Sequence, residues 1–243
     1  MISNRKMSVI AVILTVLTFA GCGSSSKSII RMQKMEEGVS SPSTVEELKD
    51  AIKKYQDRVT DIQLANGQVG IWYKLLGVRY LDAKMYGEAL KAFEEAVKYY
   101  PANQNLYYYV GLCAGYMANA SLDYNATGST TEKYNYLKLS ESAYLRAIEL
   151  EDRYARALYG IGVLYVFELD ECDKAIPYLE KLLTIDTKNT DAMFVLARAY
   201  YVQGMYDEAV NLYDKIIVLT KSEQKKAEAQ ANKKVVLDAS YAK

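Results

Sequence analysis

Residues 72–101 read WYKLLGVRYLDAKMYGEALKAFEEAVKYYP, and residues 193–220 read MFVLARAYYVQGMYDEAVNLYDKIIVLT. Aligning Gly77 with Ala197 puts the two stretches in one register. Tyr80 then falls on Tyr200, Tyr86 on Tyr206, Ala89 on Ala209, Phe93 on Tyr213 and Ala96 on Ile216. In both, apolar residues follow helical spacing on either side of a turn that ends at Tyr86 or Tyr206, so each stretch reads as two helices joined by a tight connection.

Two further copies lie between these. Gly111 and Gly162 continue the small position of the first helix, and Ser140 and Ala175 continue that of the second. The step from a second-helix small residue to the next first-helix one is always 22: Ala89 to Gly111, Ser140 to Gly162, Ala175 to Ala197. Within a copy the step is 12 in the first and fourth, 13 in the third and 29 in the second. The second copy therefore holds 17 additional residues and the third holds one, and every length change falls in the turn between paired helices, on one edge of a stack.

A 34-residue helix–turn–helix period with these recurring positions resembles the tetratricopeptide repeat. The copies run 70–103, 104–154, 155–189 and 190–223. The resemblance implies an all-α, right-handed solenoid of about four helix–turn–helix repeats with N- and C-terminal capping helices. Small residues at Gly77, Gly111, Gly162 and Ala197 let paired helices approach, and Phe93, Tyr144, Leu179 and Tyr213 fill the space between them; stacked copies then share a continuous core that one copy cannot build alone.

Ser43-Thr44-Val45-Glu46-Glu47 gives two overlapping capping boxes, Ser43 with Glu46 and Thr44 with Glu47. They open an N-terminal helix expected over 43–69, with Leu48, Ile52, Tyr55, Val59 and Ile62 on one side. The Lys-, Glu-, Gln- and Ala-rich segment 224–243 reads as a polar C-terminal capping helix.

Composition narrows the function classes. Basic and acidic residues number 30 each, so no basic stripe points to nucleic acid. The chain has no histidine, which removes the commonest general base and metal ligand together. No phosphate loop or nucleophile motif appears, and paired acids such as Glu94-Glu95 and Asp170-Glu171 fit helix surfaces and turns. Cys113 and Cys172 lie at different levels of the units, so no disulfide is expected between them. The reading is a protein without catalytic residues, metal or cofactor.

The amino terminus, MISNRKMSVIAVILTVLTFAGC, has a positive start at Arg5 and Lys6, an apolar run from Val9 to Ala20 that is short for a membrane span, and small residues before Cys22. Phe19-Ala20-Gly21-Cys22 resembles a bacterial lipobox, with Phe19 where leucine is usual. The resemblance implies a signal peptide over 1–21 and a lipid on Cys22; an ordinary secretory signal with an incidental cysteine is the alternative. Residues 22–42 read as a serine-rich tether. The expected location is a bacterial envelope membrane, on the periplasmic side of the outer membrane where the cell has two.

In the tetratricopeptide family the concave face comes mainly from the first helix of each unit. Carried over, its second position is Ile71, Asn105, Arg156 and Asp191; its fifth is Lys74, Tyr108, Tyr159 and Phe194; its ninth is Val78, Leu112, Val163 and Arg198; its thirteenth is Asp82, Tyr116, Phe167 and Val202. The implied partner groove comprises Tyr108, Leu112, Tyr116, Arg156, Tyr159, Phe167, Phe194, Arg198 and Tyr201. Packing of these aromatics against the C-terminal helix or another subunit is the competing reading. The carboxylate grip of chaperone-binding members is not expected, because Val78 and Tyr109 stand where asparagines are needed and Gly160 replaces a basic residue. The insertion around 121–134 reads as a solvated loop or a partner-contact loop, and the Asn125 sequon as accidental.

The functional expectation is a lipid-anchored, non-enzymatic scaffold or adaptor that binds envelope proteins and sits on the membrane through its N-terminal lipid, with homo-oligomerisation left open. The alternative is a ligand-binding or transport-associated lipoprotein holding a small apolar molecule or sugar. A barrel-assembly component fits less well, since its repeats are less regular than these.

Overall fold

The computed structural model describes residues 44–121 and 131–241. Among them are nine helices and no strand: α1 Val45–Asp82, α2 Tyr86–Tyr99, α3 Gln104–Ala120, α4 Thr131–Leu150, α5 Ala155–Phe167, α6 Cys172–Ile185, α7 Thr190–Val202, α8 Tyr206–Leu219 and α9 Glu223–Tyr241. The stretches read from sequence as a signal peptide and a tether, with Cys22, Ser43 and most of the loop with Asn125, lie outside the described residues. The fold is an all-α solenoid of stacked helix pairs.

The chain divides into two units, Met1–Gln63 and Leu64–Lys243. The described part of the first is the opening of α1. Its start is a capping box: the Thr44 N–H donates to Glu47 Oε2 at 3.1 Å, and the Glu47 N–H donates to Thr44 Oγ1 at 3.2 Å.

The sequence reading ends an N-terminal helix at residue 69 and starts another at 70. The structure has one uninterrupted helix, α1, across that point. Gly67 and Gly70 look like breakers but serve close packing instead. A Cβ on Gly70 would lie 2.6 Å from Tyr99 Cβ, and the Tyr100 hydroxyl donates to the Gly67 carbonyl at 2.8 Å.

Within the repeat unit each helix packs on the next from α2 to α9, and the first helices α3, α5 and α7 also touch in sequence. The small–large pairs named above meet as expected. A Cβ on Gly77 would lie 2.8 Å from the Phe93 ring, one on Gly111 2.9 Å from the Tyr144 ring, and one on Gly162 2.5 Å from Leu179. Ala197 and Tyr213 are both buried in the same cluster. Each pair brings two helix backbones close enough for one large side chain to fill the gap.

The turns follow one design. In the first copy the Met85 N–H donates to the Tyr80 carbonyl and the Lys84 N–H to Leu81; in the fourth, Met205 donates to Tyr200 and Gly204 to Tyr201. Both are Schellman stops, which need a left-handed residue at the turn. Gly204 supplies it at φ 74°, whereas Lys84 adopts φ 59° with a side chain attached. The longer turn of the third copy places Asp170 at φ 54°.

The 17 additional residues of the second copy are not all loop. Measured against the fourth copy, four lengthen α3, six lengthen α4, and seven fall in the connection. Residues 131–134, expected in the loop, are helical. Two main apolar clusters result. Copies one and two share one built on Phe93, Leu106, Val110, Cys113 and Ala143; the other runs from Ala118, Leu137 and Tyr144 through copies three and four to Ala229 and Val236 of α9.

Candidate partner-binding groove

Helical spacing of four residues aligns Tyr108, Leu112 and Tyr116 along α3. Tyr108 and Leu112 are half-buried and Tyr116 is exposed. Tyr116 stacks on Tyr86 at 4.3 Å between ring centroids, so one ring face is covered. Tyr108 sits inside an aromatic cluster, with Tyr109 at 5.3 Å, Tyr154 edge-on at 6.0 Å and Tyr144 at 6.1 Å. The Arg156 guanidinium lies over the Tyr108 ring at 6.0 Å. Burial pushes the Tyr108 phenol up, and Arg156 opposes it.

The neighbouring tyrosines of α3 have structural partners. Tyr109 stacks on Phe93 at 4.7 Å, and the Tyr107 hydroxyl donates to the Pro101 carbonyl at 3.1 Å. Tyr154, not among the groove residues read from sequence, ties the start of α5 to α3: its hydroxyl donates to Asn105 Oδ1 at 2.6 Å, and burial pushes its phenol up to about 12.

Farther along, Phe167, Phe194, Arg198 and Tyr201 line one cavity of about 220 Å³. Phe194 meets Tyr213 edge-on at 6.0 Å, and Tyr201 leans on Tyr206 at 6.0 Å. The remaining wall is α9, through Glu228, Asn232, Val235 and Val236. Neither Arg198 nor Glu228 makes an ion pair or hydrogen bond with a described residue. The α9 wall escaped the sequence reading because that helix is polar overall; its signal is residues 228, 232 and 235, spaced to share one face.

Tyr159 stands apart from both groups. It packs beside Leu158, Leu182 and Ala192, near the Lys225–Asp191 ion pair that ties α9 to α7 at 2.6 Å. The nine groove residues thus form an aromatic patch at Tyr108, Leu112, Tyr116 and Arg156, a cavity at Phe167, Phe194, Arg198 and Tyr201, and a packed residue at Tyr159. Part of the aromatic surface faces the chain's own C-terminal helix.

Chemically these surfaces offer ring faces, a methyl-lined wall and a guanidinium. Ring faces and methyl groups bind apolar moieties, the guanidinium meets an anionic one, and Glu228 on the α9 wall meets a cationic one. Cys113 and Cys172 are free and buried, and burial pushes the Cys113 thiol up to about 12, away from nucleophilic reactivity. Among the described residues no cluster of His, Cys, Asp and Glu could hold a metal ion, and no helix is long and apolar enough to cross a membrane.

Family models of the tetratricopeptide repeat match residues 71–103 and 167–231. The chain carries tetratricopeptide repeats in both stretches. A "TPR repeat-containing protein" of Borreliella burgdorferi (strain B31) is 25% identical over 225 residues, which cover 90% of this chain and 95% of that protein. Among solved structures, YrrB, described as a TPR protein with an unusual peptide-binding site, has a TM-score of 0.56 at 19% identity and covers 74% of this chain and 82% of its own. MamA has a TM-score of 0.53 at 23% identity, over 76% of this chain and 98% of its own. MamA from Desulfovibrio magneticus RS-1 has a TM-score of 0.54 at 14% identity, over 72% of this chain and 96% of its own. These structural likenesses establish the fold. Proteins of this repeat family are typically interaction scaffolds rather than enzymes.

Proposed function

We propose that this tetratricopeptide repeat protein is a lipid-anchored cell-envelope adaptor that seats a partner segment on the concave face of its first helices. The carrying observation is the cavity where Phe167, Phe194, Arg198 and Tyr201 converge while Arg198 makes no ion pair with a described residue. An aromatic side chain of a partner would enter the ring-lined space, and an adjacent carboxylate would meet the guanidinium. YrrB, with its peptide-binding site on a similar fold, supports a peptide as the occupant. Anchoring rests on Phe19-Ala20-Gly21-Cys22, which resembles a lipobox.

The test is site-specific photocrosslinking in intact cells. A photoreactive residue at Tyr201 should give a discrete protein adduct that an added Arg198→Ala change removes. The same residue at Lys215, on the exposed side of α8, should give none. Equal adducts at both positions would sink the groove reading. Palmitate-analogue labelling tests the anchor, since a Cys22→Ala protein that still takes label excludes it.

A small-molecule reading draws on the same cavity, whose fourth wall is the protein's own α9. Native mass spectrometry showing a bound apolar carboxylate in place of a protein adduct would favour it.

A further inference from the structure

The opening of α1 carries a periodicity that the repeat unit does not use. Val45, Leu48, Ile52, Tyr55, Val59 and Ile62 alternate in steps of three and four, and the steps continue to Asn66 and Val69. In heptad terms Val45, Ile52, Val59 and Asn66 occupy position a; Leu48, Tyr55, Ile62 and Val69 occupy position d. A strict a/d stripe is the narrow seam of a coiled coil, whereas a helix lying on a globular core shows a wider face. Val45, Leu48, Ile52, Val59 and Ile62 are all exposed, and a shallow apolar groove of about 580 Å³ follows Leu48, Ile52, Tyr55 and Val59.

We propose that this seam closes on the same seam of a second copy of the chain, forming a parallel two-stranded coiled coil. Four observations choose that occupant. Every a position before Asn66 is β-branched, and in the first heptad Val45 at a with Leu48 at d is the pairing that favours two parallel strands. Asn66 is a polar residue at a, where its amide meets its counterpart only if the chains are parallel and in register. At the flanks, Ala51 faces Gln56 of the second copy and Arg58 faces Gln63, so no like charges oppose. The rest of the segment carries Glu46, Glu47, Asp50, Asp57 and Asp61 against Lys49, Lys53, Lys54 and Arg58. That balance of −1 gives no basic face for an anionic bilayer, which argues against a lipid surface as the occupant.

From Val45 to Ile62 the seam spans about 27 Å at the helical rise. An interface this short makes a reversible dimer whose population grows with concentration. It forms whether or not the concave groove is occupied.

The test uses the full chain in mild detergent, in a Cys22→Ser background. In a parallel pair, equivalent a residues face each other within disulfide reach, while f residues point away. Oxidation of Ile52→Cys should give about tenfold more covalent dimer than oxidation of Asp57→Cys, an f position. Sedimentation equilibrium should return a two-chain mass for the parent and a one-chain mass for Ile52→Asp/Val59→Asp, with the repeat unit melting as in the parent. Asn66→Ile should add species larger than two chains. Equal crosslinking at 52 and 57, a one-chain mass at every concentration, or a three-chain mass for the parent would overturn the proposal. So would a one-chain parent that floats with anionic vesicles while Ile52→Asp/Val59→Asp does not; that outcome would assign the stripe to lipid.

Discussion

The Ser140 hydroxyl donates a hydrogen bond of 2.8 Å to the carbonyl of Gly111. Ser140 stands where the other copies carry alanine, and it is fully buried. A buried hydroxyl without a partner would be costly, and this one is satisfied by the first helix of its own copy. Ser140→Ala should lower stability by only about 0.5–1.5 kcal/mol, since the Gly111 carbonyl lies within α3 and keeps its helical environment. Urea unfolding of the variant checks this.

One turn away, Tyr144 fills the space over Gly111. Gly111→Ala places a methyl 2.9 Å from that ring, and overpacking of this kind costs about 1–3 kcal/mol. Tyr144→Leu should absorb part of the clash. In a double-mutant cycle the coupling between the two changes should reach about 1 kcal/mol, and strict additivity would show that the ring and the glycine do not meet.

Lys84 and Gly204 hold the same place in two turns, and only Gly204 is suited to a left-handed backbone. Lys84→Gly should therefore stabilise the fold by roughly 0.5–1 kcal/mol, after allowing for the greater freedom of glycine in the unfolded chain. Gly204→Ala should destabilise it by about 1–2 kcal/mol. Thermal melts of the pair give the opposite signs directly.

Buried tyrosines set the alkaline limit. Burial raises the phenols of Tyr108, Tyr144 and Tyr154, and burial together with the neighbouring Glu141 and Glu180 raises those of Tyr165 and Tyr200. Below the ordinary tyrosine value of 10.0 both states hold these protons. Above it the unfolded chain releases them first, so stability falls as pH rises toward the native values, about 12 for Tyr154. Urea midpoints should drop between about pH 9 and about pH 11, and the drop should be smaller in Tyr154→Phe.

The buried Cys113 thiol, held up to about 12, should resist maleimide at neutral pH until the protein unfolds. In a Cys22→Ser/Cys172→Ser background, labelling before and after urea addition measures this. Rapid modification of Cys113 in the folded protein would contradict its packing.

Repeat register, turn placement and the Gly–aromatic pairs were legible because each recurs at a constant offset, and recurrence separates a structural position from an accident. Ser140 was legible as a small position, but the reason for a hydroxyl there, a partner 29 residues earlier, was not. The continuity of α1 was hidden because the repeat register opens its first copy at residue 70, and only the rings of Tyr99 and Tyr100 reveal Gly67 and Gly70 as spaces for close approach within one helix. The groove was legible as a set of helix positions but not as a surface. Tyr108 is held by Tyr144 of α4 and by Tyr154 just before α5, and the cavity at Arg198 takes a wall from α9, whose contribution follows no repeat.

The long helices α3 and α4 supply side chains to both large apolar clusters: Leu106, Val110, Cys113 and Ala143 to one, Ala118, Leu137, Tyr144 and Ala147 to the other. In a stack where each copy touches only its neighbours, local opening normally spreads inward from the ends. Here the first copy and the last two lean on the same pair of helices. Loosening α8 would leave the first copy's amides protected from hydrogen exchange, whereas loosening α3 against α4 would release both ends at once.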